Sequence, residues 1–109
     1  MAYSIQVTSH AEELLDELIF YILDQFQDEN AASRLLDGLE KVYGRLQDNP
    51  FQFPLFEDSY LSSLGVRKAR VKGMDYYAVF SISEEVVTIL GFYHALENYN
   101  EKITFLMLP

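Results

Sequence analysis

Beyond its first eight residues, the hydrophobic pattern of this chain changes period once, at Asn49-Pro50, and that change sets what it can fold into. Before it, apolar residues recur at helical spacing; after it, they alternate or cluster in short runs bounded by turns. Ala11, Leu14, Leu15, Leu18, Ile19, Ile22 and Phe26 share one face of a helix that ends near Gln27. Ser9-His10-Ala11-Glu12 has the form of a capping box, with Ser9 as the expected N-cap. Glu13, Asp16, Glu17 and Asp24 point the other way, and Phe20 stands among these carboxylates, almost opposite the core stripe. After Asp28-Glu29-Asn30 a second stripe, Ala31, Leu35, Leu39, Val42 and Leu46, predicts a helix to about Asp48, widened by Ala32, Leu36 and Tyr43. The residue before proline is pushed out of the helical region, so Asn49-Pro50 ends it. Two helices joined by so few residues pack as an antiparallel hairpin.

Tyr3-Ser4-Ile5-Gln6-Val7 alternates as a short strand ahead of the hairpin. Residues 51–64 read as a loop. Three strand-type runs follow, at 66–72, 76–83 and 86–94, separated by Lys72-Gly73-Met74-Asp75 and Ser83-Glu84-Glu85. Turns this short make an antiparallel meander. The order β-α-α-β-β-β predicts an α+β domain over residues 1–109, with a helical hairpin on one face of an antiparallel sheet. The other face is then expected to be open as a working surface. The apolar tail, with Ile103, Phe105 and Leu106, is expected to dock on the body or on a partner.

Half of the chain's eight Lys and Arg sit in one run, as Arg67, Lys68, Arg70 and Lys72, in a protein of net charge -9. Strand alternation puts Lys68, Arg70 and Lys72 on one face and Ala69 and Val71 on the other, against the helices. The cations are expected to face outward as a local target-binding stripe, or to be the solvated side of a sheet, where lysine is common. The acidic total works against attraction of the whole protein to nucleic acid. Eight Phe and eight Tyr provide a core without staples, and the absence of cysteine removes disulfides, thiolate metal sites and cysteine nucleophiles. With no signal-peptide pattern and no apolar run near the roughly 20 residues of a membrane span, the chain reads as a cytoplasmic protein.

His94 closes the last run, and its imidazole is the side chain suited to proton transfer near neutrality. Tyr77, central in the middle run, is placed to stack on a base or donate a hydrogen bond, or else to pack at the sheet rim. His10 and His94 lack the spacing of a metal site, no glycine-rich phosphate loop is present, and no cofactor is expected.

The full pattern resembles the RelE/ParE family of bacterial toxins from type II toxin-antitoxin systems. The resemblance is carried by Ile5-Gln6-Val7-Thr8 leading into Ala11-Glu12-Glu13-Leu14, by Tyr21-Ile22, and by Ala32-Ser33-Arg34-Leu35-Leu36. It continues through Leu46-Gln47-Asp48-Asn49-Pro50, Phe53-Pro54, Gly65-Val66-Arg67-Lys68 and Tyr77-Ala78-Val79-Phe80, and closes on Val87-Thr88-Ile89-Leu90-Gly91-Phe92-Tyr93-His94. It implies a growth-inhibiting toxin silenced by a cognate antitoxin that wraps it with an extended or helical segment. Members that resemble the ribosome-dependent nucleases cut messenger RNA in the ribosomal A site. Members that resemble the gyrase poisons act on DNA gyrase and cut nothing themselves.

The nuclease members carry arginine on the central strand of the meander, where this chain has Tyr77, and basic residues after the last strand, where it reads His94-Ala95-Leu96-Glu97-Asn98. The leading expectation is therefore a toxin with a protein target, DNA gyrase being the candidate. The alternative is a ribosome-dependent endoribonuclease using His94 and Tyr77, and a third reading is a non-toxic binding domain of the same fold. Phe20 with Leu23, and Phe105 with Leu106, are the apolar spots expected to meet the antitoxin.

Overall fold

The computed structural model describes residues 2–95 and 102–103. Strand β1 (Ser4–Val7) leads into helices α1 (Ser9–Phe26) and α2 (Glu29–Asp48). A single 3-10 turn (Pro50–Gln52) and a short helix α3 (Ser59–Ser63) follow, then strands β2 (Arg67–Arg70), β3 (Tyr76–Ser83) and β4 (Val86–His94). The α+β class and the hairpin-then-meander order are as the sequence predicts. The sheet itself is mixed, in the order β1-β4-β3-β2, because β1 adds in parallel to β4 while β2, β3 and β4 form the antiparallel meander.

Local chemistry explains the helix ends. Thr8, not Ser9, caps α1: its Oγ1 accepts from the Ala11 amide at 3.0 Å. Gln27 closes α1 in the left-handed region at φ 49°, and Asp28 caps α2 by accepting from the Ala31 amide at 3.0 Å. Two residues thus reverse the chain between two long helices, which forces the hairpin.

The hairpin covers one sheet face with Ala11, Ile22, Leu35, Leu39, Val42 and Leu46, packed on Ala69, Val71, Ala78, Phe80, Val87, Ile89 and Phe92. Two residues depart from the expected stripes: Phe26 is 64% exposed and Leu36 45%. The opposite face is not open. The segment expected to be a loop folds into α3, and Phe56, Leu61, Val66, Val79, Tyr93 and Ile103 form a second buried cluster there. Asp58 caps α3 by accepting from the Leu61 amide at 3.0 Å, which fixes the turn that delivers Leu61 to the sheet.

β3 and β4 pair with one register shift: Val79 faces Gly91 and Phe80 faces Ile89, so Leu90 is an extra residue in β4. This bulge reverses the parity of the strand's end. Ile89 and Phe92 both face the helices, while Tyr93 faces the second cluster. Gly91 lets the Tyr93 ring lie along the backbone, since a Cβ there would stand 2.5 Å from Tyr93 Cε2.

Gly38 faces Val71, just past the end of β2, and a Cβ at that position would collide with Cγ1 of this buried residue. Alanine would recover about 1 kcal/mol of helix propensity, but overpacking against a β-branched core residue costs about 1–3 kcal/mol. Gly38→Ala should therefore lower the unfolding midpoint, and in a Val71→Ala background the same change should be neutral or stabilising. A raised midpoint in the otherwise native chain would show that the two backbones stand further apart than this packing requires.

Candidate functional site

The four cations of the basic run do not share a face. Arg67 turns to the helix side, where its Nη1 donates to the Phe53 carbonyl at 2.6 Å and its guanidinium lies 5.2 Å from the Phe51 ring centre. Lys68 turns to the other side, its ammonium 5.5 Å from the Phe56 ring centre and 5.3 Å from that of Tyr77, with Glu57 at 3.9 Å. Its side chain is only 17% exposed. Arg70 and Lys72, at the end of the edge strand, instead reach a cleft against α2 that Arg34, Lys41 and Arg45 also line. Arg70 braces the β2–β3 turn by donating from Nε to the Met74 carbonyl at 3.0 Å and pairing with Asp75 at 3.0 Å. The outward stripe of three cations expected from strand alternation is therefore split. Arg70 keeps the strand parity of Lys68 and pairs in register with Tyr77, but its guanidinium is drawn to the β2–β3 turn by Met74 and Asp75, and Lys72 lies in that turn beyond the four-residue β2.

His94 and Tyr77 are separated by the sheet. His94 pairs with Tyr76, its ring 5.1 Å from that of Tyr76 in an edge-on contact. Tyr77 pairs with Tyr93, one residue out of phase. Successive strand residues point to opposite faces, so His94 lies on the helix side and Tyr77 on the side of Lys68. The bulge at Leu90 produces this outcome, because uninterrupted alternation from Ile89 would put His94 on the other face. The only sequence sign of the bulge is Gly91 inside a strand.

On the helix side His94 closes one end of a groove of about 630 Å³ between α1 and the ends of β3 and β4. Its walls are Leu14, Leu18, Tyr21, Phe26, Tyr76 and Phe92, with Glu17 at the rim. The aromatic surface continues along α1 to Phe20, 68% exposed, beside Asp16 and Asp24. Leu23 is exposed on the same helix. Tyr21 and Phe26 meet edge to face with ring centres 5.6 Å apart, so Phe26 is held as part of an exposed aromatic pair instead of entering the core. Phe20 thus belongs to a larger apolar surface that Tyr21, Phe26 and Tyr76 extend, whereas Leu23 does not line it. Phe105 and Leu106 lie outside the described residues.

Burial pushes the Tyr43 phenol above its ordinary value, and the Glu12 carboxylate adds to that rise. A phenol held protonated is a packing group here and no general base. Among the described residues, no helix is long and apolar enough to cross a membrane.

The chain shares its fold with proteins of toxin-antitoxin systems. A chain of the chromosomal ParDE TA system from P. aeruginosa superposes with a TM-score of 0.66 at 19% identity, covering 85% of this chain and 96% of the other. A chain of the RelBE2 toxin-antitoxin complex of Mycobacterium tuberculosis gives 0.60 at 20% identity, covering 86% and 99%. A conserved hypothetical protein of Helicobacter pylori gives 0.59 at 15% identity, covering 87% and 97%. No curated protein sequence matches the chain. The sequence profile of the ParE toxin of the type II toxin-antitoxin system parDE matches residues 5–99, from β1 through the end of the meander and the groove that His94 closes, and the chain belongs to that family.

Proposed function

We propose that this protein arrests growth by binding a protein target, with DNA gyrase the candidate, and that a cognate antitoxin silences it by covering the aromatic face of α1. The observation that carries the first half is the placement of His94 and Tyr77 on opposite sides of the sheet. Cleavage by a 2′-hydroxyl needs a base, an acid and phosphate-binding cations around one reacting centre. Here the imidazole sits in an apolar groove, the phenol beside Lys68 across the sheet, and the remaining cations at the sheet edge. Tyr77 has Lys68 beside it and Arg70 as its cross-strand partner, but His94, the proton-transfer group, converges with none of them. Binding to a protein makes no such demand.

The second half rests on Phe20, Tyr21 and Phe26, which stand exposed among Asp16, Glu17 and Asp24 next to an apolar groove, with Leu23 exposed elsewhere on the same helix. An extended or helical segment with aliphatic anchors and basic flanks matches that surface in shape and charge. The structural neighbours in toxin-antitoxin systems support a partner of this kind.

Induction of the chain without its antitoxin tests the mode of action. DNA breaks that depend on gyrase, with messenger RNA intact, are expected, and they should persist in His94→Ala and Tyr77→Phe variants. New RNA ends phased to codons and lost in either variant would establish a ribosome-dependent nuclease instead.

A further inference from the structure

Five of the chain's eight Lys and Arg line a single cleft of about 520 Å³ between α2 and the β2–β3 turn. Arg34, Lys41 and Arg45 form its helical bank, spaced so that all three project from one side of α2. Arg70 and Lys72 form the other bank, with Gly38, Val42, Gly73 and Met74 as floor and Asp37 as the one carboxylate. In a chain of net charge -9 this is a strong local reversal. Two of the five are fixed: Arg45 donates to Gln52 Oε1 at 2.9 and 2.7 Å, and Arg70 is held to the turn through Met74 and Asp75. Arg34, Lys41 and Lys72 are in no ion pair among the described residues.

We infer that this cleft binds an acidic peptide segment of a partner protein. Its length points to a chain-like anion: from Arg34 to Arg45 the helix rises about 16 Å, too far for one phosphate to be shared. A single-stranded nucleic acid would use aromatic platforms, and no aromatic residue lines the cleft. The acidic remainder of the molecule would also repel a long polyanion in every direction but one, whereas a short acidic segment displayed by a protein engages only the local field. The inference is independent of the target proposed above, because it states what the cleft recognises and not what the protein inhibits.

Titration with a labelled Glu-Ala repeat peptide at low salt, followed by anisotropy, tests it. The peptide should bind the native protein, a Gln-Ala repeat should not, and Lys41→Ala with Lys72→Ala should weaken binding about tenfold or more. Lys102→Ala removes one charge outside the cleft and should leave affinity within about twofold, as for an exposed charge away from the contact. An oligothymidylate of equal charge should bind more weakly than the peptide, and inorganic phosphate should compete only through ionic strength. Tighter binding of the oligothymidylate, specific competition by phosphate, equal loss in Lys102→Ala, or no peptide binding would each overturn the inference. Both substituted lysines are exposed, so unfolding midpoints should match the native value and confirm that lost binding is local.

Discussion

Truncating Leu61 to alanine should destabilise the protein by about 2–5 kcal/mol, the range for emptying a fully buried leucine site. Leu61 is wholly inaccessible and sits with Phe56, Val66, Val79, Tyr93 and Ile103 on the sheet face away from the helical hairpin. The helix that carries it is only five residues long. It cannot persist without that contact, since an isolated turn of helix is unstable in water. Loss of the leucine should therefore loosen α3 together with Phe56 and the Lys68 ammonium that lies over its ring. The measurement is the denaturant midpoint at constant m-value. A shift below about 0.5 kcal/mol, the size of an ordinary surface change, would mean that α3 is undocked and that the face holding Tyr77 is open. The objection to a nuclease site would then lose much of its force, because Lys68 and Tyr77 would be free to meet a substrate together. A shift in the expected range makes that face core.

The parts of this fold legible in the sequence are those governed by local period. The stripes of α1 and α2 and the turn-punctuated meander follow from residue spacing alone, and each helix is found within a residue or two of its expected ends. Features set by tertiary contact were not legible. Nothing in Ile5-Gln6-Val7 states that its neighbour will be β4 or that the pairing is parallel. The stretch from Phe51 to Leu64 looks like a loop because its buried residues, Phe53, Phe56 and Leu61, follow no helix or strand period. Phe53 and Leu61 are placed by single turns, each capped by one Asn or Asp side chain, and Phe56 by its backbone bond to Val66. The candidate site suffers in the same way. A one-residue bulge moved His94 across the sheet, away from Tyr77. The basic run looked self-contained because its members are neighbours in sequence, whereas three of the five cations of the basic cleft, Arg34, Lys41 and Arg45, come from α2. Their common side of the helix was readable, but not the packing of Gly38 on Val71 that brings this side to β2.

Replacing both Phe20 and Phe26 by alanine should weaken capture by the antitoxin about a hundredfold, the loss expected when two aromatic anchors of one interface are removed, while leaving the fold and the toxicity intact. The two rings are 68% and 64% exposed in the free protein, so folding gains little from them. Their value lies in what a partner would cover, since a buried aromatic removes a large apolar area from water. Phe26 should be the larger contributor: it lines the groove and is held by Tyr21, and so loses less freedom on binding than Phe20 on the outer turn. Alanine is the informative choice, because a new carboxylate on this acidic helix would also alter attraction to a basic partner. Co-expression with the cognate antitoxin gives the functional readout. The native chain should be silenced and the doubly substituted chain should still arrest growth, with an unchanged unfolding midpoint. Substituting Asp16 and Asp24 by asparagine should act differently, slowing association and flattening its salt dependence while the dissociation rate holds, because rim charges steer encounter more than they hold the complex. If the doubly substituted chain is still silenced at native affinity, the antitoxin covers another surface and the exposed aromatics of α1 need a different partner.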